Sequence, residues 1–341
     1  MPHTSLLKIE KKMRRQINVT DRISRIWYLK RPYFKLITSG LYRVGVKDLI
    51  RTQFPYIFPD TELPPSINLE LTNRCQLRCT YCTSPLKLRP TGFMTDSTYW
   101  RVIAQIREYR IKRIRVVGNG EPTFHPNFRW MIKEIAESTD YVELKTSLQY
   151  VKDATIEAVV KANIDAIRIS VDSNSKEEYE TLRQGGNFET LLTNLKKLIR
   201  TRNSLRGKSL ITITVMLKPS DQEKEYEMMA FWKPYCDLVS KQYVLDMKTG
   251  ESDSFLATTS SEEWPRCSFP FKELKVFWDG NVPLCKYSHL QTRDDIGLPL
   301  GNINTDTIPT LWNGPIMKQY RNAHRNRNTA AMPICRGCFG T

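Results

Sequence analysis

The feature that most constrains the fold is a regular alternation of strand and helix patterns that begins at Ile67. Short apolar runs predict six strands, at residues 67–72, 113–118, 142–147, 166–171, 210–217 and 237–244. Amphipathic stretches between them predict helices at about 95–109, 127–138, 153–162, 176–201 and 222–233. Strands that alternate with helices form parallel sheets with right-handed crossovers. We therefore expect an α/β fold whose functional residues gather where the strands end.

Three cysteines follow the first predicted strand with the spacing C-x3-C-x2-C, namely Cys75, Cys79 and Cys82. Three such thiolates can each bind one iron of a [4Fe–4S] cube, which leaves the fourth iron open to a small ligand. Structural zinc usually needs four ligands, and no fourth Cys or His lies nearby. Disulfide frameworks are typical of small secreted chains rather than of 341 residues without a recognisable signal peptide. The spacing therefore favours an iron–sulfur cluster.

A glycine-rich turn, Gly118-Asn119-Gly120-Glu121-Pro122, follows the second predicted strand. Glycine lacks a Cβ and lets the backbone approach a ligand closely, and Glu121 can accept hydrogen bonds from an ammonium group. With the cysteines, this turn resembles the radical S-adenosylmethionine (SAM) enzymes, whose Gly-Gly-Glu-Pro motif contacts the SAM amine. Asn119 stands where some members have another small residue.

This resemblance implies a partial (βα)6 barrel and a catalytic [4Fe–4S] cluster. In the family the open iron binds the amino and carboxylate groups of SAM. An electron from the cluster then cleaves SAM to methionine and a 5′-deoxyadenosyl radical, which abstracts a hydrogen atom from the substrate. The resemblance also implies an external electron donor such as flavodoxin or ferredoxin.

Polar residues near the fourth predicted strand resemble the family's SAM contacts. Ser170 and Asp172 can hydrogen-bond ribose hydroxyls, and Arg183 on the following helix can pair with the SAM carboxylate. Ser147 is a further candidate, and Tyr81 could shield the cluster and lie near the adenine. The alternative is that these groups line a filled barrel interior and only satisfy one another.

A second cysteine set occupies the C-terminal region. Asp279-Gly280 predicts a hairpin turn between two strands, which would bring Cys267 and Cys285 together. With the C-x2-C pair, Cys335 and Cys338, four ligands fit either tetrahedral zinc or a fully ligated [4Fe–4S] cluster. The segment resembles the SPASM/twitch extensions of radical SAM enzymes, which implies one auxiliary [4Fe–4S] cluster.

Cys236 belongs to neither set and precedes the last predicted barrel strand. A free cysteine is usually a small buried hydrophobe. Some radical SAM epimerases, however, use a cysteine to donate a hydrogen atom to the substrate radical, which makes Cys236 a candidate catalytic residue.

Composition divides the chain into a basic helical extension with a linker (1–62), the barrel (63–250) and the cysteine-rich domain (251–341). The net charge is +16, and residues 1–52 carry thirteen basic against three acidic residues, a net +10. Basic residues interleaved with aromatics suit an anionic membrane surface. The alternative is a solvated extension whose aromatics pack on the barrel, and no nucleic-acid partner is expected.

Together these features predict a cytoplasmic or membrane-peripheral radical SAM enzyme, since no apolar run is long enough to span a bilayer. We expect it to oxidise or epimerise a sugar-like or small polar substrate. A peptide-modifying maturase is the alternative within the family. A zinc-stabilised binding protein without catalytic activity is the alternative outside it.

Overall fold

A computed structural model describes residues 60–217, 223–243, 267–285 and 299–328. The basic segment predicted to contact membranes, residues 1–52, lies outside the described residues. Within them, no helix combines the length and apolarity needed to cross a membrane.

The central element is a parallel seven-stranded sheet. Its strands are β1 (Ser66–Leu69), β2 (Arg113–Val116), β3 (Tyr141–Thr146), β4 (Ala166–Val171), β5 (Leu210–Leu217), β6 (Leu238–Tyr243) and β7 (Glu273–Val276). They are arranged in the order β6-β5-β4-β3-β2-β1-β7. From β1 to β6, every strand pairs in parallel with the next strand of the chain. This sequential winding, with helices in the connections, confirms the predicted α/β barrel architecture.

Helices connect the barrel strands at the predicted places, with one difference. They are α1 (Asp96–Glu108), α2 (Phe128–Ala136), α3 (Asp153–Lys161), α4 (Lys176–Leu182), α5 (Phe188–Ser204) and α6 (Glu225–Trp232). The prediction of a single helix over 176–201 is wrong, because the helical structure is interrupted between α4 and α5. Gly185 adopts a φ of +86° there, which favours glycine. Asn187 then begins α5 by accepting a hydrogen bond from Thr190 N.

The two faces of the sheet differ in polarity because successive side chains along a strand point to opposite sides. On β4, Ile167 and Ile169 lie in the apolar core together with residues such as Leu191 of α5. The alternate residues Arg168 and Ser170 lie on the other face, where Arg168 bonds to polar groups of neighbouring strands. The barrel interior is therefore polar, and this is the face that holds the site.

The C-terminal region adds α7 (Phe269–Lys272), β8 (Asn281–Pro283), β9 (Pro299–Asn302), α8 (Ile308–Asn313) and α9 (Pro315–Arg325). The predicted Asp279-Gly280 turn is present and is closed by a 2.9 Å bond from Phe277 N to Asn281 O. The predicted pairing of its two flanking strands is wrong, because beyond this bond they enter different sheets. β7 pairs with β1, and β8 pairs with β9.

The start of the described chain is attached to the C-terminal helices. Trp312 Nε1 donates a 2.8 Å hydrogen bond to the carbonyl of Thr61. Asp60 forms an ion pair with Arg325 at 2.6 Å. The residues that lead into β1 are thereby fixed to α8 and α9.

Candidate active site

A cavity of about 430 Å³ opens at the carboxyl ends of the barrel strands. Its walls are the loop with the three cysteines, the Gly118–Glu121 turn after β2 and the ends of β3 to β6. Of the predicted site residues, the following line it: Cys75, Cys79, Cys82, Tyr81, Gly118, Gly120, Glu121, Ser147, Ser170 and Arg183. The fold thus gathers residues more than one hundred positions apart in the sequence.

The three loop cysteines are free thiols that face this common cavity. Burial raises the pKa of Cys75 to about 12 and that of Cys79 to about 11. Among the described residues, no three His, Cys, Asp or Glu side chains lie close enough to hold a single metal ion.

Close contacts with other parts of the chain leave no room for a side chain at Gly118 or Gly120. A Cβ on Gly120 would lie 2.4 Å from the carbonyl oxygen of Arg74, directly before Cys75. A Cβ on Gly118 would lie 2.4 Å from Cγ of Glu70. The backbone bond from Glu121 N to Arg74 O, at 2.9 Å, joins the same two segments. The glycines therefore let the turn pack against the cysteine loop, which the sequence argument from ligand approach missed.

Glu121 is the centre of a buried hydrogen-bond network. Its Oε1 accepts bonds from the hydroxyls of Thr123 (2.8 Å) and Thr146 (2.7 Å). Its Oε2 accepts bonds from both the amide and the hydroxyl of Ser147, at 2.7 and 2.8 Å. These donors fix the carboxylate and hold the turn against the end of β3. Glu121 and Ser147 line the cavity as one preorganised unit.

Tyr81, Asp172 and Arg183 form a second buried network behind the cysteines. Arg183 donates to Asp172 through Nε (2.6 Å) and Nη2 (3.0 Å). The Tyr81 hydroxyl donates to the same carboxylate at 2.9 Å and accepts a 3.2 Å bond from Arg183 Nη2. The carboxylate of Asp172 is thus engaged by protein groups. The charge of Arg183 has a protein partner as well, although its side chain reaches the cavity wall.

Two backbone hydrogen bonds also hold the cysteine loop close to Arg183. Arg78 N donates to the carbonyl of Gln184 at 2.8 Å, and Thr80 N donates to that of Leu182 at 2.9 Å. The cysteine loop is therefore held, on both sides of Cys79, against the last residue of α4 and the segment that follows it. The sequence could have signalled this role for the segment through its Gly185-Gly186 pair, which ends the helix here.

Ser170 and Asn68 supply buried polar atoms that lack partners. The Ser170 hydroxyl and the Asn68 side-chain carbonyl form no hydrogen bond within the described ranges. Both residues line the cavity. A buried polar group without a partner costs free energy unless a ligand or water satisfies it. These atoms fit a polar ligand such as SAM, next to thiols that fit the cluster.

Charged residues of β2, β3 and β4 cluster at the cavity, and the sequence did not predict this cluster. Glu143 lies between Arg115 and Arg168, at 3.1 and 3.2 Å. Although burial raises the pKa of Glu143, the two guanidinium groups outweigh it and lower the pKa to about 2. Lys145, two residues along β3, lines the cavity together with Arg115. The alternating charges Glu143 and Lys145 within an otherwise apolar strand were the available signal.

The second cysteine set is described in part. Cys267 and Cys285 are buried, and Cys267 N donates a 3.2 Å bond to Nδ1 of His324 on α9. Burial lowers the pKa of His324 to about 4. Cys335 and Cys338 lie outside the described residues, so their assignment as ligands stays a prediction.

Cys236 lies at the opposite end of the barrel from the other cysteines of the site. It precedes β6, and the next residue, Asp237, bonds to Ile211 O at the start of β5. Six residues of strand separate Cys236 from Gln242, which lines the cavity, and six residues span about 20 Å. Its thiol contacts Trp232 O at 3.5 Å, and burial raises the pKa of this thiol to about 11. This position is typical of a packing cysteine.

Comparison with known proteins supports the same assignment. The profile of the radical SAM superfamily matches residues 69–230, which contain the cysteine loop and β2 to β5. The profile of an iron–sulfur cluster-binding domain, SPASM, matches residues 267–339. The chain belongs to the radical SAM superfamily. It carries a SPASM domain, and its cofactors are SAM, a catalytic [4Fe–4S] cluster and an auxiliary [4Fe–4S] cluster.

Curated relatives share only part of this radical SAM chain. A GTP 3′,8-cyclase of Chlorobaculum tepidum is 26% identical over 140 residues, covering 40% of this chain and 41% of the relative. A PqqA peptide cyclase of Granulibacter bethesdensis is 30% identical over 122 residues, covering 36% of this chain and 32% of the relative. The likeness thus spans less than half the length of either relative.

Among solved structures, BtrN in complex with AdoMet and 2-DOIA shares the fold. The TM-score is 0.56 at 17% sequence identity, over 82% of this chain and 93% of BtrN. At this identity the likeness establishes the architecture.

Proposed function

We propose that this radical SAM enzyme oxidises a small polar, sugar-like substrate by dehydrogenation. The observation that carries the proposal is the cavity itself, in which three thiols face unpartnered polar atoms of Ser170 and Asn68. Cys75, Cys79 and Cys82 would hold the catalytic cluster. Bound there, SAM supplies the group that removes a hydrogen atom from the substrate.

The protein groups would bind and orient SAM and the substrate and keep bulk water away. The Gly118–Glu121 turn would face the SAM amine, with Glu121 fixed by Thr146 and Ser147. The unpartnered hydroxyl of Ser170 would bond to the ribose. Arg183 and Tyr81 would hold the cysteine loop through Asp172 and contribute their cavity-facing surfaces.

Oxidation is favoured over epimerisation by the position of Cys236. A thiol that returns a hydrogen atom to the substrate radical must reach the cavity, and Cys236 lies at the start of β6. Oxidation needs an electron acceptor instead, and the SPASM domain provides an auxiliary cluster. Cys267, Cys285, Cys335 and Cys338 would ligate it.

Peptide modification is the second candidate function. Its support is the likeness to the PqqA peptide cyclase, whose name specifies a peptide substrate. An external electron donor, such as flavodoxin or ferredoxin, is part of either proposal. Contact of residues 1–52 with an anionic membrane is a separate proposal that rests on their charge alone.

The test is anaerobic reconstitution followed by incubation with SAM and dithionite. We expect 5′-deoxyadenosine from the wild type, and none from a variant with Cys75, Cys79 and Cys82 replaced by Ala. That variant should keep about half of the iron, since the auxiliary cluster is separate. Retained cleavage in the variant, or a colourless zinc protein, would contradict the proposal. With a substrate in hand, loss of two mass units identifies oxidation, and a crosslinked peptide identifies the second candidate.

A further inference from the structure

Lys145 is a charged residue of the cavity to which the function above gives no role. It lies on β3, level with Arg168 of β4, and lines the same cavity as the cysteine loop. The nearby arginines have acidic partners: Arg115 and Arg168 pair with Glu143, and Arg183 pairs with Asp172. Among the described residues, none forms an ion pair or hydrogen bond with Lys145 Nζ.

The surroundings of Lys145 disfavour its charge when the cavity holds no anion. Burial, together with the positive charges of Arg168, Arg115 and Arg183, lowers the pKa of Lys145 to about 8. Glu143 opposes this effect, but both of its oxygens already accept bonds from Arg115 and Arg168. Glu273 and Lys275 of β7 also line the cavity. An ammonium group that is buried near other positive charges is stabilised when an anion binds to it.

The depth of Lys145 separates it from the proposed SAM contacts. Ser147 and Glu121 interact with each other at the carboxyl end of β3. Lys145 lies two residues earlier, inside the strand, which is about 7 Å deeper into the barrel. The backbone of Lys145 therefore lies below the layer formed by Glu121 and Ser147, and its side chain lines the cavity.

We propose that Lys145 binds a negatively charged group of the substrate, a carboxylate or a phosphate, and so selects an anionic substrate. This inference rests on the proposed function, because it assigns the lower part of the cavity to the substrate. It adds a specificity-determining residue that the motifs of the family do not include. Because the ammonium is the binding form, affinity for the anion should fall as the pH rises through about 8.

The test is competitive labelling of lysines in the reconstituted holoenzyme with SAM bound. Trace acetic anhydride acetylates unprotonated amines and releases acetate, and peptide mass spectrometry gives the rate at each lysine. Lys161, exposed on α3 and paired with Glu157, is the internal control in the same digest. Inorganic phosphate and formate are added in separate arms, so that the two anion chemistries are distinguished.

We expect phosphate or formate to slow acetylation of Lys145 by about fivefold or more, with no change at Lys161. Lys145→Met and Lys145→Arg should both keep wild-type SAM affinity. No protection by either anion, or no labelling of Lys145 once SAM is bound, would overturn the proposal. A tenfold loss of SAM affinity in Lys145→Met would also overturn it, by assigning the lysine to the cofactor's carboxylate. None of these readouts needs turnover, so they remain decisive even if the proposed oxidation is wrong.

Discussion

Arg183 and Asp172 form a buried bidentate ion pair directly behind the cysteine loop, with N–O distances of 2.6 and 3.0 Å. Both side chains are at most 5% exposed. The Tyr81 hydroxyl joins the pair and connects it to the loop between Cys79 and Cys82. The pair thus links the end of β4 and the segment after α4 to the proposed cluster ligands.

Replacing Arg183 by Met should therefore act on the cysteine loop before it acts on SAM. The substitution leaves Asp172 buried without its counter-ion, and breaking such a pair costs about 3–5 kcal/mol. We expect a lower free energy of unfolding in denaturant titrations and loss of iron from the catalytic cluster. Tyr81→Phe, which removes one hydroxyl, should lose less stability, about 1 kcal/mol.

The double variant Arg183→Met/Asp172→Leu is the matched control, because it removes both charges. It should recover most of the stability that the single variant loses. Unchanged stability and iron content in Arg183→Met, together with weaker SAM binding, would instead support the direct carboxylate contact predicted from the sequence.

Gly120→Ala should disturb the cysteine loop through backbone overlap. The new methyl group would lie 2.4 Å from Arg74 O and 2.6 Å from Thr72 O, neither of which is a flexible side chain. Overpacking of this kind costs about 1–3 kcal/mol. We expect a lower melting temperature and reduced iron loading, measured together on the reconstituted protein.

Gly207→Ala is the control for that experiment. The nearest atom to its added methyl group is Cγ1 of Val160, a side-chain carbon at 3.1 Å, at a site outside the cavity. It should keep full iron content. Normal iron loading in Gly120→Ala would show that the close packing of the turn on the loop is dispensable.

Glu143 should contribute stability that depends on pH. Its pKa of about 2 in the fold lies below the ordinary 4.5, because Arg115 and Arg168 outweigh the effect of burial. A carboxyl with a depressed pKa stabilises the fold fully above pH 4.5 and loses that contribution as the pH falls towards 2. The difference between these two pKa values corresponds to about 3 kcal/mol in the free energy of unfolding.

Denaturant titrations between pH 2.5 and 7 measure this contribution. Glu143→Gln should be less stable at pH 7 and should show a flatter decline towards low pH than the wild type. Glu157→Gln, on the exposed surface of α3, should follow the wild-type profile. Parallel profiles for wild type and Glu143→Gln would exclude Glu143 as the source of the acid sensitivity.

The sequence predicted the local elements well because strand and helix periodicities are local properties. Each barrel strand lies within about three residues of its predicted bounds, and the cysteine spacing led to the correct superfamily. What it missed depends on distant contacts. β7 joins β1 across some two hundred residues, and only the folded chain brings Tyr81 to Asp172 and three donors of Thr146 and Ser147 to Glu121. Glu143 and Lys145 are charges two residues apart on β3, but only the folded chain shows that Arg115 and Arg168 pair with Glu143 rather than leaving it to Lys145.

Cys236 provides the last prediction, because it separates oxidation from epimerisation. Its thiol precedes β6, about 20 Å along the strand from the cavity residue Gln242. Cys236→Ala should therefore form 5′-deoxyadenosine and product at close to wild-type rates, with a stability loss of about 1 kcal/mol from the smaller side chain. Cys79→Ala, which removes a proposed cluster ligand, should abolish both. Turnover in D2O should yield a product two mass units lighter than the substrate. An epimerase would instead give a product with the unchanged skeleton of the substrate and one deuterium from the solvent. If the wild type forms that product and Cys236→Ala does not, the assignment is reversed in favour of epimerisation.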